Sequence, residues 1–137
     1  MPTRHLLTAL LATALALAGS ANAHTQDGSV KPNFSHAIPN IPGKSLVAVE
    51  VLYPPGGASK SHRHAKSAFI YAYVVSGAIE SQVGNGPART YKAGEAFYEL
   101  PGAHHRISRN ASQTRPAKLL AVFVVDTGDQ PLTTPDE

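Results

Sequence analysis

From Leu46 onward the apolar residues recur at every second position in short runs, and each run stops at glycine, proline or a polar turn. A repeat of two is the period of a strand, whose successive side chains point to opposite faces. Val47, Val49 and Val51 alternate with Leu46, Ala48 and Glu50, and Pro54-Pro55-Gly56-Gly57 ends the run. Ala68 to Val75 is dense in aromatic and β-branched residues and halts at Ser76-Gly77. Shorter runs follow over residues 78–83, 89–92, 96–99, 104–108 and 119–125, with a further extended piece over residues 59–64. Gly84-Asn85-Gly86-Pro87 carries the residues that tolerate positive φ in a tight hairpin turn. No segment beyond residue 23 sustains a helical period without a breaker. Seven or eight short strands at this spacing predict an all-β chain folded as a sandwich or closed barrel.

The first residues follow a different pattern. Arg4 and His5 precede an apolar run from Leu6 to Ala18, and Gly19-Ser20-Ala21-Asn22-Ala23 then supplies small residues with an Ala-x-Ala end. That is the layout of a cleavable secretory signal peptide, with an apolar run short for a bilayer span. The expected organisation is a signal peptide over 1–23, an N-terminal leader and edge segment over 24–44, a barrel over 45–126, and a polar C-terminal tail over 127–137. Residues 24–33 read as a loose leader and 34–42 as an extended edge. The expected location is periplasmic or secreted, with no membrane attachment after cleavage.

Charge narrows the partners. The net charge of +3 comes from basic residues scattered along the chain without a run or stripe. Nucleic acid and anionic membrane are therefore not the expected partners. There is no cysteine, so in an oxidising compartment hydrophobic burial and any bound metal must hold the fold.

The candidate chemistry lies in the histidines. His62 and His64 stand two apart, so on a strand both imidazoles face the same way, and His104-His105 follows later in the chain. Three neutral imidazoles converging inside a barrel suit a divalent transition metal.

These residues also carry a family pattern. Gly56, five residues, and His62-Arg63-His64 resemble the opening of the first cupin motif, and Gly77 the glycine that closes it. Gly94, five residues, Leu100-Pro101-Gly102, two residues and His105 resemble the second motif. The chain is thus similar to small single-domain cupins from about Leu46 to Val125. The resemblance implies a single-domain cupin jelly-roll β-barrel (double-stranded β-helix), often dimeric, with a divalent metal inside. It makes His62, His64 and His105 the metal ligands, and leaves His104 facing away or toward a substrate.

The sequence departs from the family where a glutamate should follow His64. Residues 65–70 read Ala-Lys-Ser-Ala-Phe-Ile, and none is a carboxylate. A first shell of imidazoles alone favours Fe, Ni, Cu or Zn over the oxygen-preferring Mn. Glu99 is a candidate replacement, with Phe97 on its own strand face and Tyr98 on the other, although parity alone does not say which face is interior. The second motif also has Leu100 for its first proline and carries its asparagine one position late, at Asn110. Tyr71, Tyr73 and Tyr98 are expected in the core or an interface. Candidate catalytic groups are Glu99, Tyr71, Tyr98 and His104. Arg63, between the two ligands, should point outward.

The expected function is a metal-binding cupin, and foremost a metal-dependent enzyme of dioxygenase, lyase or decarboxylase type acting on a small organic molecule. A non-catalytic metal- or ligand-binding module is the alternative. A homodimer is the expected assembly.

Overall fold

The computed structural model describes residues 27–137; the expected signal peptide lies outside them. Among the described residues all regular structure is strand: β1 (Ser29–Ala37), β2 (Lys44–Tyr53), β3 (Ala58–Ser59), β4 (His62–His64), β5 (Phe69–Ser76), β6 (Ala78–Val83), β7 (Arg89–Lys92), β8 (Ala96–Glu99), β9 (His104–Asn110), β10 (Ala117–Asp126) and β11 (Thr133–Pro135). One sheet has the order β1-β2-β10-β5-β8 and the other β11-β4-β9-β6-β7, with β3 also paired to β9. Every pairing between these strands is antiparallel. Two facing antiparallel sheets with strands shared in this order form the jelly roll expected from the sequence.

Alternation decides which side chains meet between the sheets. In β10, Ala117, Leu119, Ala121, Phe123 and Val125 are buried, while the residues between them are not. Ile70, Ala72 and Val74 do the same in β5. Each large aliphatic side chain so buried contributes about 1.5–3 kcal/mol relative to exposure. Gly77 makes the turn from β5 into β6 with φ +72°. A Cβ there would lie 2.7 Å from the Pro116 carbonyl oxygen, so the position requires glycine for space as well as for conformation.

The structure corrects one sequence expectation and narrows two others. The leader is not loose: residues 29–37 form β1, paired along β2 from Ser29↔Leu52 to Ala37↔Ser45, with an irregularity at Asn33. Its residues are all exposed and include Pro32, so the segment shows no alternation to read, as befits an edge strand. The polar tail lies along the barrel, with residues 133–135 paired to β4. Of the tyrosines expected in the core or an interface, Tyr71 and Tyr98 fall outside the core: they are cross-strand neighbours on the outer face, 47% and 64% exposed. Strands β5 and β8 have only one buried face, and Ile70, Ala72, Phe97 and Glu99 occupy it.

Candidate metal centre

The site is assembled from three strands. His62 and His64 come from β4, as the period of two requires, and His105 from β9, where it pairs with His62. The ring centroids lie 4.8 Å apart for His62–His64, 5.2 Å for His62–His105 and 5.9 Å for His64–His105. One ring nitrogen from each can be chosen so that all three lie within 4.8 Å of one another. Arg63 between them is exposed.

Glu99 reaches this cluster from β8 in the opposite sheet. Its Oε2 is 3.0 Å from His64 Nε2 and its Oε1 is 3.2 Å from His105 Nδ1. Its side chain is 3% exposed. Burial by itself would push the Glu99 carboxyl up, but the contacts with His105 and His64 outweigh it and bring the group down to about 2. The glutamate is therefore an anion held against two imidazoles. The carboxylate missing after His64 in the sequence is matched in space by one from another strand.

The neighbours orient the rings. His62 donates Nδ1–H to the Lys60 carbonyl at 2.7 Å, which leaves its Nε2 lone pair free for an ion. Burial pushes the His62 imidazole below the ordinary histidine range, with His64 and His105 adding to the effect, which favours the neutral, ligating form. His105 Nε2 is hydrogen-bonded to the Ser81 hydroxyl at 2.9 Å. His64 differs: neither of its nitrogens has a hydrogen-bond partner, nor does Glu99 Oε2, because their 3.0 Å contact is not aligned as a hydrogen bond. Buried polar atoms left this way are costly, and a cation would satisfy Glu99 Oε2 together with whichever His64 nitrogen carries the lone pair. The donor set fits a divalent metal.

His104 and Asn110 have other tasks. His104 turns away from the cluster and donates Nε2–H toward Asp136 Oδ2 at 2.7 Å and Ser61 Oγ at 3.0 Å. Ser61 itself donates to Asp136. Serine, histidine and aspartate thus meet, but all through one ring nitrogen, whereas a nucleophile relay needs both. The group clasps the tail to β4. Asn110 is buried, with its amide nitrogen 2.7 Å from the Arg115 carbonyl and 3.0 Å from that of Pro54. It pins the loop before β10.

A cavity of about 440 Å³ opens beside the cluster, lined by His62, His64, His105 and Glu99 together with apolar residues such as Val49, Ile70, Leu119 and Phe123. Its wall includes Leu132, Thr133 and Pro135 from the tail, and the hydroxyl-bearing residues Tyr53, Ser59 and Ser108. Sequence reasoning missed these hydroxyls. Ser108 is three residues from His105 and should face outward, but the β6–β9 register shifts between Gln82 and Val83, leaving Arg106 as an extra residue on β9. The bulge returns Ser108 and Asn110 to the interior.

The cupin domain family model matches residues 49–123, more than half of the chain. The chain belongs to the cupin family. Solved structures share the fold. A conserved protein with a double-stranded β-helix domain from Klebsiella pneumoniae is 22% identical, with TM-score 0.63 over 81% of this cupin and 85% of that chain. The protein TT1209 from Thermus thermophilus is 27% identical, with TM-score 0.57 over 72% and 84%. The DMSP lyase DddQ from Ruegeria pomeroyi is 22% identical, with TM-score 0.56, and this cupin spans only 42% of that enzyme's length. No curated protein compared with the sequence matches it.

Proposed function

We propose that this cupin is an exported, metal-dependent enzyme acting on a small organic molecule, with His62, His64 and His105 as ligands and Glu99 as the fourth. One observation carries the reading: three imidazoles and a buried carboxylate, three of their polar atoms unpartnered, face a cavity of ligand size with an apolar wall. The export signal read over residues 1–23 supports a periplasmic or secreted location. A divalent ion held there would polarise a bound oxygen function, and a redox-active one would add dioxygen chemistry. The chain's own residues do the rest. Lys60 fixes the ring of His62, Ser81 that of His105, and the anionic Glu99 balances the charge of an ion. Ile70, Leu119 and Phe123 keep the ligand in an apolar environment. Iron, nickel, copper and zinc suit the imidazoles, and the carboxylate of Glu99 weakens the argument against manganese.

The placement of His104, Tyr71 and Tyr98 outside the cavity favours a second reading. Of the candidate acid–base groups only Glu99 lies inside, and it is already engaged by the imidazoles. On that reading the protein captures a metal or a metal-bound ligand without turnover. Metal analysis of the protein purified from its exported location, followed by oxygen uptake and product analysis with diketones, phenols and carboxylates, separates the two. Stoichiometric metal with turnover supports the enzyme. Stoichiometric metal without turnover supports the binding module. Protein that neither carries nor takes up a divalent ion overturns both.

A further inference from the structure

Three hydroxyls meet in the cavity wall. Tyr53 Oη is 2.7 Å from Ser59 Oγ and 2.7 Å from Ser108 Oγ. Among the described residues these are the only side-chain hydrogen bonds that the three groups make. Three hydroxyls carry three protons, and two contacts use two of them. One proton therefore has no acceptor among the described protein groups, whichever way the hydroxyls are turned, and only at the half-buried Ser59 could water take it. Tyr53 is 2% exposed and Ser108 4%, so two of the three groups are shut away from bulk water. Burial pushes the Tyr53 phenol up, which keeps it a donor.

The trio also stands at a definite distance from the metal cluster. On β6, the residues opposite His105 and Ser108 are Val83 and Ser81, two positions apart, which is roughly 7 Å of strand. The same cavity is lined by apolar residues that include Val51, Ala72 and Leu119. Outside the metal cluster the charged residues of the lining are Lys60 and Asp27, both exposed. An anion at the trio would be desolvated with only the exposed Lys60 to answer it, and a cation could not accept a hydroxyl proton, whereas an uncharged oxygen would take the spare proton.

We propose, building on the metal-dependent reading above, that the cavity selects a small organic compound with two oxygen functions. One is directed to the metal cluster; the other is an uncharged acceptor such as a ketone, ester, ether or alcohol that receives the spare proton of the Tyr53–Ser59–Ser108 trio. A compact apolar body joins them. Tyr53 and Ser108 are then specificity-determining residues.

Zinc-loaded protein and a matched pair of probes test this. A hydroxamate binds zinc through its two oxygens, so para-methoxybenzohydroxamate and para-ethylbenzohydroxamate differ at the far end by one ether oxygen against a methylene. Calorimetric titration should give the methoxy compound about tenfold tighter binding to the wild type. The Tyr53→Phe/Ser108→Ala variant, checked for unchanged zinc stoichiometry, should bind the two compounds equally. Equal affinities in the wild type overturn the inference whether or not the variant folds, and leave the metal reading intact. Failure of both probes to bind zinc-loaded protein also overturns it. Failure to load zinc, together with the other divalent ions, removes the metal reading itself.

Discussion

Glu99 and His64 approach to 3.0 Å from opposite sheets, and both side chains are nearly sealed from solvent. The contact ties the barrel's two layers together at its polar centre. Glu99→Gln keeps the shape and removes the charge. Metal affinity should fall by tenfold or more, a loss of the size found when a supporting carboxylate is removed from a metal site. Competition with a chromophoric chelator measures it. Unchanged affinity would reduce Glu99 to a structural partner of the histidines.

Metal should hold the fold as well as the chemistry. At a free ion concentration about a hundredfold above Kd, binding adds about 2.7 kcal/mol, or roughly 10 °C in Tm for a domain of this size. Thermal melts with and without the ion should show the shift in wild type. His62→Ala and His64→Ala together should abolish it, since they remove two of the three clustered imidazoles.

The strands and the histidines were readable because they obey local rules. Residues 78–83, 89–92 and 96–99 form strands with the ends their turn residues predict. His62 and His64 face one way because nothing interrupts the period between them. Glu99 was ambiguous for a physical reason: a strand with Phe97 and Glu99 on one face and Tyr98 on the other has apolar residues on both sides. Ser108 was hidden by the bulge at Arg106, since one extra residue reverses every later side chain. Tyr53 carried no local signal, because its partners Ser59 and Ser108 are brought to it by pairing across the sheets. The strand β1 was obscured by its own exposure.

Tyr53 should make the protein sensitive to alkali. Burial raises its pKa above the ordinary 10.0, with the Ser108 and Ser59 contacts opposing the shift only in part. The unfolded chain therefore loses this proton first. Stability from the buried phenol is complete below about pH 10 and declines as the pH rises toward and through the higher native value. Denaturant midpoints between pH 8.5 and 11 should fall more steeply for wild type than for Tyr53→Phe. Parallel curves would contradict it.

The turn at Gly77 and that at Gly84 should differ in what they tolerate. Both have positive φ, +72° and +58°, but a Cβ at Gly77 would meet Pro116 and Ala117 within 2.9 Å, whereas one at Gly84 meets nothing within 4 Å. Gly84→Ala should cost about 1 kcal/mol, the conformational penalty alone. Gly77→Ala should cost about 2 kcal/mol more, through the added clash. Chemical denaturation of the two variants distinguishes them; equal losses would show that the backbone yields at Gly77.

Removing residues 132–137 should open the site from one side. The truncation deletes the β-pairs of Thr133 with His64 and Pro135 with His62, and the Ala65 N–H loses its bond to the Leu132 carbonyl. That amide should exchange hydrogen much faster than in the intact chain. Metal should also dissociate more quickly, as measured by chelator trapping. Preserved protection at Ala65 would show that β4 holds its place unaided.

The pairing of β11 with β4 has a consequence for when the centre comes into being. The closing wall comes from the last residues, so no shorter emerging fragment holds the complete pocket. The pocket is complete only when the C-terminal strand is in place. On the proposed reading of an exported metal protein, a chain that crosses a membrane before it folds would meet an ion only on the far side, and the ion taken up would be set by supply in that compartment as much as by the affinity of the histidines.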